Sequence, residues 1–311
     1  MIRLNAYVLA ADPTWLEVSV NAYYDRVSRI VVSFDERGRG WTGASIPVEE
    51  CLARLRSIDR KRKMSFEGGC YSGVAADPMY NDTLQRNAAL ASASCGADWV
   101  LQLDTDEWMP NFDRFHAGIV RADAMGLCGL EWPMRVLYRR VNNRVLEVCS
   151  LRGNDHFEYI APVAVRSGTR LVHSRRAEAP FLRAVATGDS ESIQLQHAPA
   201  SLEVRAELLE AEDAIVHNSW ARTPLELRRK LASWSHSSLR AWLYYATRWL
   251  PSKWTWRWMC NLHPFFGGVW PALRFCKISL PDEGTAEVRG EGKEAVLRKD
   301  SERSVRAAVE Q

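Results

Sequence analysis

The chain has no Cys-x-x-Cys pair, no internal repeat and no strong excess of either charge. Nor does it have an apolar run near the roughly 18 residues of a membrane-spanning helix. Each absence excludes a class. The seven cysteines are odd in number and scattered from Cys51 to Cys276. That points away from a zinc ribbon or a disulfide framework and toward reduced thiols in a cytosolic setting. Lys and Arg total 41 against 38 Asp and Glu, a net charge of +3, which is too small for a dedicated nucleic-acid binder. Met1 to Ala10 lacks a small-residue cleavage site and reads as a first strand, not a signal peptide. What is there is ordinary globular usage, 47% hydrophobic and 25% charged over 311 residues. One figure stands out: of 13 tryptophans, eight lie at or after Trp220.

The first third alternates strand and helix. Residues 4–9 form a short apolar strand that ends before Asp12-Pro13, a suitable cap and first turn for a helix. Residues 29–34 are a continuous β-branched run of the kind buried in a parallel sheet. They end at Asp35 and a polar, Gly-rich turn. A helix from Pro47, a weaker strand near residues 63–67, an Ala-rich helix over 80–96 and a strand from Asp98 follow. This β-α repetition predicts an open, mostly parallel, Rossmann-like α/β sheet with helices on both faces. Ligands bind beyond the carboxyl ends of such strands, so Asp12, Asp35 and Asp104/Asp106 are expected along one edge. Further on, a helix is expected over 112–126, longer and partly antiparallel strands over 128–173, and helices over 201–213 and 223–248.

The strongest local feature is Val100-Leu-Gln-Leu-Asp104-Thr-Asp106-Glu107. Two carboxylates at i and i+2 after a buried strand suit a hard divalent cation, which would neutralise a departing nucleoside diphosphate. A helix-capping role for the acids is the competing structural reading. Asp35 also suits a simple turn, and Arg86 an ordinary helix surface.

The run Gln85-Arg86-Asn87 through Asp98 to Asp104-Thr-Asp106-Glu107 and Pro110 resembles the family 2 glycosyltransferases of GT-A fold, in their bacterial D-x-D-E branch. The likeness extends to Ile30-Val-Val-Ser-Phe-Asp35 and to His217 with the following Thr, Glu226 and Lys230, roughly residues 3 to 235. The resemblance implies a nucleotide-diphospho-sugar donor held by Asp12, Asp35, Arg86 and Asp104. It implies Mn2+ or Mg2+ on Asp104, Asp106 and His217, and inversion by direct displacement. An imidazole ligand would favour manganese. The family's Asn-Glu after the first strand is replaced by Ala11-Asp12, and the loop after Asp35 lacks its second acid. A general base is expected on the acceptor side. Asp155 and Glu158 are the first candidates, with Glu131 and Glu178 as others.

The domain reading is residues 1–235 as the transferase unit, split into a donor half (1–110) and an acceptor half (111–235). A Trp-rich helical extension (236–280) and a polar, disordered tail (281–311) follow. In residues 242–270 aromatics interleave with Arg248, Lys253 and Arg257. That pattern suits a bilayer interface and a lipid-linked or glycan acceptor at the inner membrane face. It also suits a helical subdomain that packs its own rings. Two other functions stay open: a haloacid-dehalogenase-type phosphatase, whose nucleophile also sits in a strand-end D-x-D, and a catalytically silent glycan-binding protein.

Overall fold

The computed structural model describes residues 2–281. The charged segment expected to be a tail lies, from 282 onward, outside the described residues. The chain runs β1 (Leu4–Leu9), α1 (Leu16–Tyr23), β2 (Ile30–Asp35), α2 (Val48–Ile58), β3 (Met64–Gly69), α3 (Pro78–Ala93), β4 (Trp99–Leu101) and β5 (Glu107–Trp108). It continues with α4 (Phe112–Ala124), β6 (Gly129–Glu131), β7 (Met134–Val141), β8 (Arg144–Cys149), β9 (Pro162–Arg166), β10 (Leu171–His173), β11 (Arg176–Ala177), β12 (Phe181–Ala186) and β13 (Glu203–Leu209). It closes with β14 (Ile215–His217), α5 (Pro224–Ser233), α6 (Leu239–Tyr244), α7 (Ser252–Thr255) and β15 (Ala272–Phe275).

The main sheet has eight strands in the order β13-β12-β6-β9-β4-β1-β2-β3. Only β9 opposes its neighbours; every other pairing is parallel. This is the mixed α/β, mostly parallel, Rossmann-like architecture the strand-helix alternation calls for. Strands β1 and β2 are buried almost throughout, as two covered faces require. Helix α1 turns Leu16, Ser19, Val20 and Tyr23 to the core, one helical stripe.

Three expectations fail locally. Residues 201–213 are not a helix. Glu, Ala, Leu and Arg favour one, but alternation wins: Val204, Ala206 and Leu208 pack on the core and β13 pairs with β12 as an edge strand. The helix expected from Asp12-Pro13 begins later, at Leu16, behind Trp15 in a left-handed conformation. Asp12 instead accepts from the Thr14 backbone N–H at 2.9 Å, a local turn bond. The helix expected over 223–248 is likewise broken between α5 and α6.

A second sheet, β15-β8-β7-β14-β5, carries a second core. Val136, Tyr138, Leu146 and Val148 from β7 and β8 meet Trp220, Leu227, Leu231, Trp249, Leu262 and Trp270. Trp220 packs edge-on to Trp234, Tyr244 and Trp270 at centroid distances of 6.4, 5.2 and 6.2 Å, a favourable arrangement for rings. The Trp-rich segment therefore shares its core with the second sheet, and residues 2–279 belong to one compact unit.

Within this core His263 packs on Trp270 at 4.6 Å. Burial, then the nearby His236 and Arg240 charges, pushes its pKa down to about 4; burial also lowers that of His156. Both imidazoles are thus protonated in the unfolded chain before the folded one. Stability is full above pH 6.5 and falls as pH drops toward 4. We expect His263 to remove about 2 kcal/mol between pH 7.5 and 5, read from urea midpoints by tryptophan fluorescence. His263→Asn should flatten that slope; a slope unchanged in the variant would contradict this assignment.

Candidate active site

The sheet's carboxyl edge carries the acidic turn after β4. Both Asp104 oxygens accept from Arg86 of α3, at 2.9 Å from Nη1 and 3.2 Å from Nη2. Arg86 Nε also donates to Asp82 one helical turn back, at 2.6 Å. The third acid, Glu107, is fully buried. Its carboxylate accepts from both Nη atoms of Arg175 at 2.7 Å each and from the Asp104 backbone N–H at 3.0 Å. Glu107 is therefore a clamp that fixes the turn's shape. The competing idea, that these acids cap the next helix, does not hold: Asn111 caps α4.

The turn is joined to a distant segment. β5 pairs antiparallel with β14, which places His217 opposite Glu107. The Asn218 N–H donates to the Asp106 carbonyl at 2.8 Å. Asp106 Oδ2 accepts from Arg222 Nη2 at 2.8 Å and from Lys230 Nζ at 2.7 Å, with His217 Nε2 3.7 Å away. Burial would raise the Asp106 pKa, but the Lys230, His217 and Arg222 charges hold it well below the usual range. Arg222 also donates through Nη1 to Asp12 Oδ2 at 2.5 Å, so one guanidinium ties the β1 end to the acidic turn. Thr223 and Glu226 form a reciprocal capping box with Pro224 in the first turn of α5. That cap fixes how Arg222 enters the site and where Lys230 points.

Asp12, Arg86, Asp104, Asp106 and His217 thus come together. Asp35 stands apart. Its carboxylate accepts from the backbone N–H groups of Arg37, Arg39, Tyr71 and Ser72. Burial opposes its ionisation, but these donors prevail and lower its pKa. They tie the loops after β2 and β3 together. The loop after β2 also touches α5: a Cβ on Gly40 would lie 2.7 Å from the Ser233 Cβ, so only glycine allows that approach.

The two base candidates differ sharply. Asp155 is held by Arg135 at 2.9 Å and by Arg274; despite burial, these two arginines lower its pKa. Glu158 is anchored by mutual backbone bonds with Met134 at 2.9 Å. Burial raises its pKa against weaker opposite pulls from His217 and the Trp270 N–H, and His263 Nε2 lies 3.8 Å from it. Glu131 is paired with Arg183 in the main sheet, and Glu178 lies at the surface.

A divalent cation fits this arrangement poorly. Among the described residues no three His, Cys, Asp or Glu side chains converge on one point. Both Asp104 oxygens and Asp106 Oδ2 are taken by guanidinium and ammonium groups. A cation there would have to evict Arg222, whose side chain is 1% exposed, from its compensating charge.

Sequence reasoning missed Asp82, Arg175 and Arg222 as site residues and gave Lys230 no role. A signal for the first existed: Asn81, Asp82, Gln85 and Arg86 form a buried polar stripe on α3, which a helix packed only on a core would not carry. Arg175 and Arg222 have no local signal, since their partners lie 68 and 116 residues away.

No protein-family model and no curated protein sequence matches this chain. Among solved structures it is similar to 4-diphosphocytidyl-2C-methyl-D-erythritol synthase from Anaerococcus prevotii, at 11% identity and a TM-score of 0.31, over 53% of this chain and 70% of that one. It is also similar to mannose-6-phosphate isomerase from Helicobacter pylori, at 12% identity and a TM-score of 0.28, over 49% and 57%.

Removing one partner of the buried Glu107–Arg175 pair leaves a desolvated charge. We expect Arg175→Met to cost about 3–5 kcal/mol in chemical denaturation, against under about 1 kcal/mol for Asp113→Asn, which breaks the exposed Arg26–Asp113 pair. Equal effects would contradict the clamp.

Proposed function

We propose that the protein transfers a sugar from a nucleoside-diphospho-sugar to an acceptor hydroxyl. The observation that carries this reading is the strand-end turn Asp104-Thr-Asp106-Glu107, fastened to Asp12, Arg86, Arg222 and Lys230 at the carboxyl edge of a parallel sheet. Asp12, Asp104 and their cations offer acceptors for ribose or sugar hydroxyls and donors for phosphate oxygens. Asp35, its carboxylate engaged by four backbone N–H groups, is better suited to shaping the nucleoside wall than to reading the base. Both Asp104 oxygens accept from Arg86, which weakens them as nucleophiles and speaks against a phosphatase.

Glu158 is the better general base. Its side chain is only 12% exposed, it has no arginine or lysine partner among the described residues, and its raised pKa brings it toward the working pH; Asp155 is held ionised by two arginines. In our reading the acceptor oxygen attacks the anomeric carbon and gives its proton to Glu158. The bond to the donor phosphate breaks and the configuration inverts.

The acceptor side favours a lipid-linked substrate at an anionic bilayer surface. Between Glu226 and Asp282 the sequence holds no acid against nine Lys and Arg. Trp254 and Trp258 are 70% and 81% exposed, and Lys253 lies 5.8 Å over the Trp254 ring. Rings at the headgroup level and cations facing anionic lipid are the physics of such contacts. Among the described residues no helix is long and apolar enough to cross a membrane.

The test is a thermal-shift panel of UDP, GDP, dTDP and CDP, since specific binding stabilises by mass action, followed by donor turnover. One nucleotide should stabilise the protein; none doing so would reject the reading. Glu158→Gln should lower kcat by roughly 10²- to 10⁴-fold with donor KM nearly unchanged, while Asp155→Asn should retain most activity. The reverse ranking would reject Glu158. For the surface, the protein should float with phosphatidylglycerol vesicles and not with phosphatidylcholine alone. Trp254→Ala with Trp258→Ala should weaken flotation; binding unchanged by the pair would contradict the interface.

A further inference from the structure

We infer that Arg222 and Lys230 receive the donor's diphosphate and do the work of a divalent cation, so that binding and transfer proceed without metal. This rests on the nucleotide-sugar reading above and deepens it. The turn that would hold a cation is already neutralised from within. Arg86 occupies both oxygens of Asp104, and Arg222 and Lys230 share Asp106 Oδ2.

These two cations still have capacity. A guanidinium has five N–H donors and an ammonium three. Arg222 spends Nε on the Ser219 carbonyl and one donor each on Asp12 and Asp106. Lys230 Nζ spends two, on Asp106 and the Ser219 carbonyl. Two donors on Arg222 and one on Lys230 remain. Lys230 is also the more open of the two, with a side chain 18% exposed against 1% for Arg222. A second observation points to a ligand. Among the described residues His217 Nδ1 and both polar side-chain atoms of Asn218 are buried without a hydrogen-bond partner, and unmet polar groups of this kind are costly unless something binds.

The charges suit the chemistry. As the bond between the anomeric carbon and the phosphate oxygen breaks, its electron pair goes to the leaving diphosphate, which gains one negative charge. The acceptor's proton goes to Glu158. Fixed cations beside that oxygen stabilise the developing charge. Asp106 then holds Lys230 and Arg222 in place and ligates nothing. Lys230, on the well-capped α5, keeps its bond to Asp106 and offers its remaining N–H to phosphate.

The experiment is calorimetric titration of the nucleotide chosen by the panel, as diphosphate and as monophosphate, in EDTA and in MnCl2. Donor turnover is measured in both media. We expect diphosphate affinity and turnover in EDTA within about threefold of the values in manganese. Lys230→Met, which keeps length and loses charge on a partly exposed helix face, should weaken the diphosphate about tenfold or more and the monophosphate under about threefold. Circular dichroism checks that the variant is folded. Binding or turnover that appears only with manganese overturns the inference and leaves the nucleotide-sugar reading standing. Equal loss of diphosphate and monophosphate in Lys230→Met also overturns it. No binding in either medium overturns both.

Discussion

Charges buried at the end of a strand persist only when opposite charges are buried with them, and the carboxyl edge of this sheet is organised around that constraint. Asp104, Asp106 and Glu107 leave β4 in succession, and each is met by a cation from elsewhere in the chain. Arg86 comes from α3, Arg175 from the loop between the short strands β10 and β11, Arg222 from the residue before the cap of α5 and Lys230 from α5 itself. Removing water from an ion costs several kcal/mol, so every one of these partners must arrive for the turn to be stable. The β5–β14 pairing, the capping box of α5 and the glycine contact between the loop after β2 and α5 all serve to deliver them. The groups proposed to face a diphosphate are thus the same ones that fasten the acidic turn of the main sheet to the segment after β14.

The second core explains the lopsided tryptophan distribution. β7 and β8 present Val136, Tyr138, Leu146 and Val148 on a face the main sheet does not cover, and the aromatic segment after Trp220 covers it. Most of those rings are spent on packing, Trp220, Trp249 and Trp270 among them. Trp254 and Trp258 are not, and they sit in a stretch of one charge sign. The same segment therefore does two jobs, closing a core with one set of rings and offering another to the outside.

Much of this was legible from residue order. β-branched runs and helix stops marked the elements up to β4, and the D-x-D-E turn was found where the strand pattern ended. The misreadings have physical causes. Residues 203–209 carry helix-forming side chains, yet their period-two burial and pairing to β12 decide the outcome. The role of Glu107 was hidden because a clamp and a ligand are the same residue type; only Arg175 distinguishes them. Arg222 could not be found at all from local pattern, because its meaning depends on Asp12 and Asp106 meeting in space. Asp155 and Glu158 looked equivalent as sequence, three residues apart, and are separated only by their neighbours: two arginines on one, burial on the other.

The most direct measurement of the central claim is the position of phosphorus in a crystal of the protein soaked with a bound nucleoside diphosphate under EDTA. The diphosphate is expected at the carboxyl edge of the main sheet, with its oxygens within hydrogen-bond distance of Lys230 Nζ and of an Arg222 Nη atom, each of which has a second N–H to donate. A diphosphate placed elsewhere, with the Asp106–Lys230 pair untouched, would contradict it.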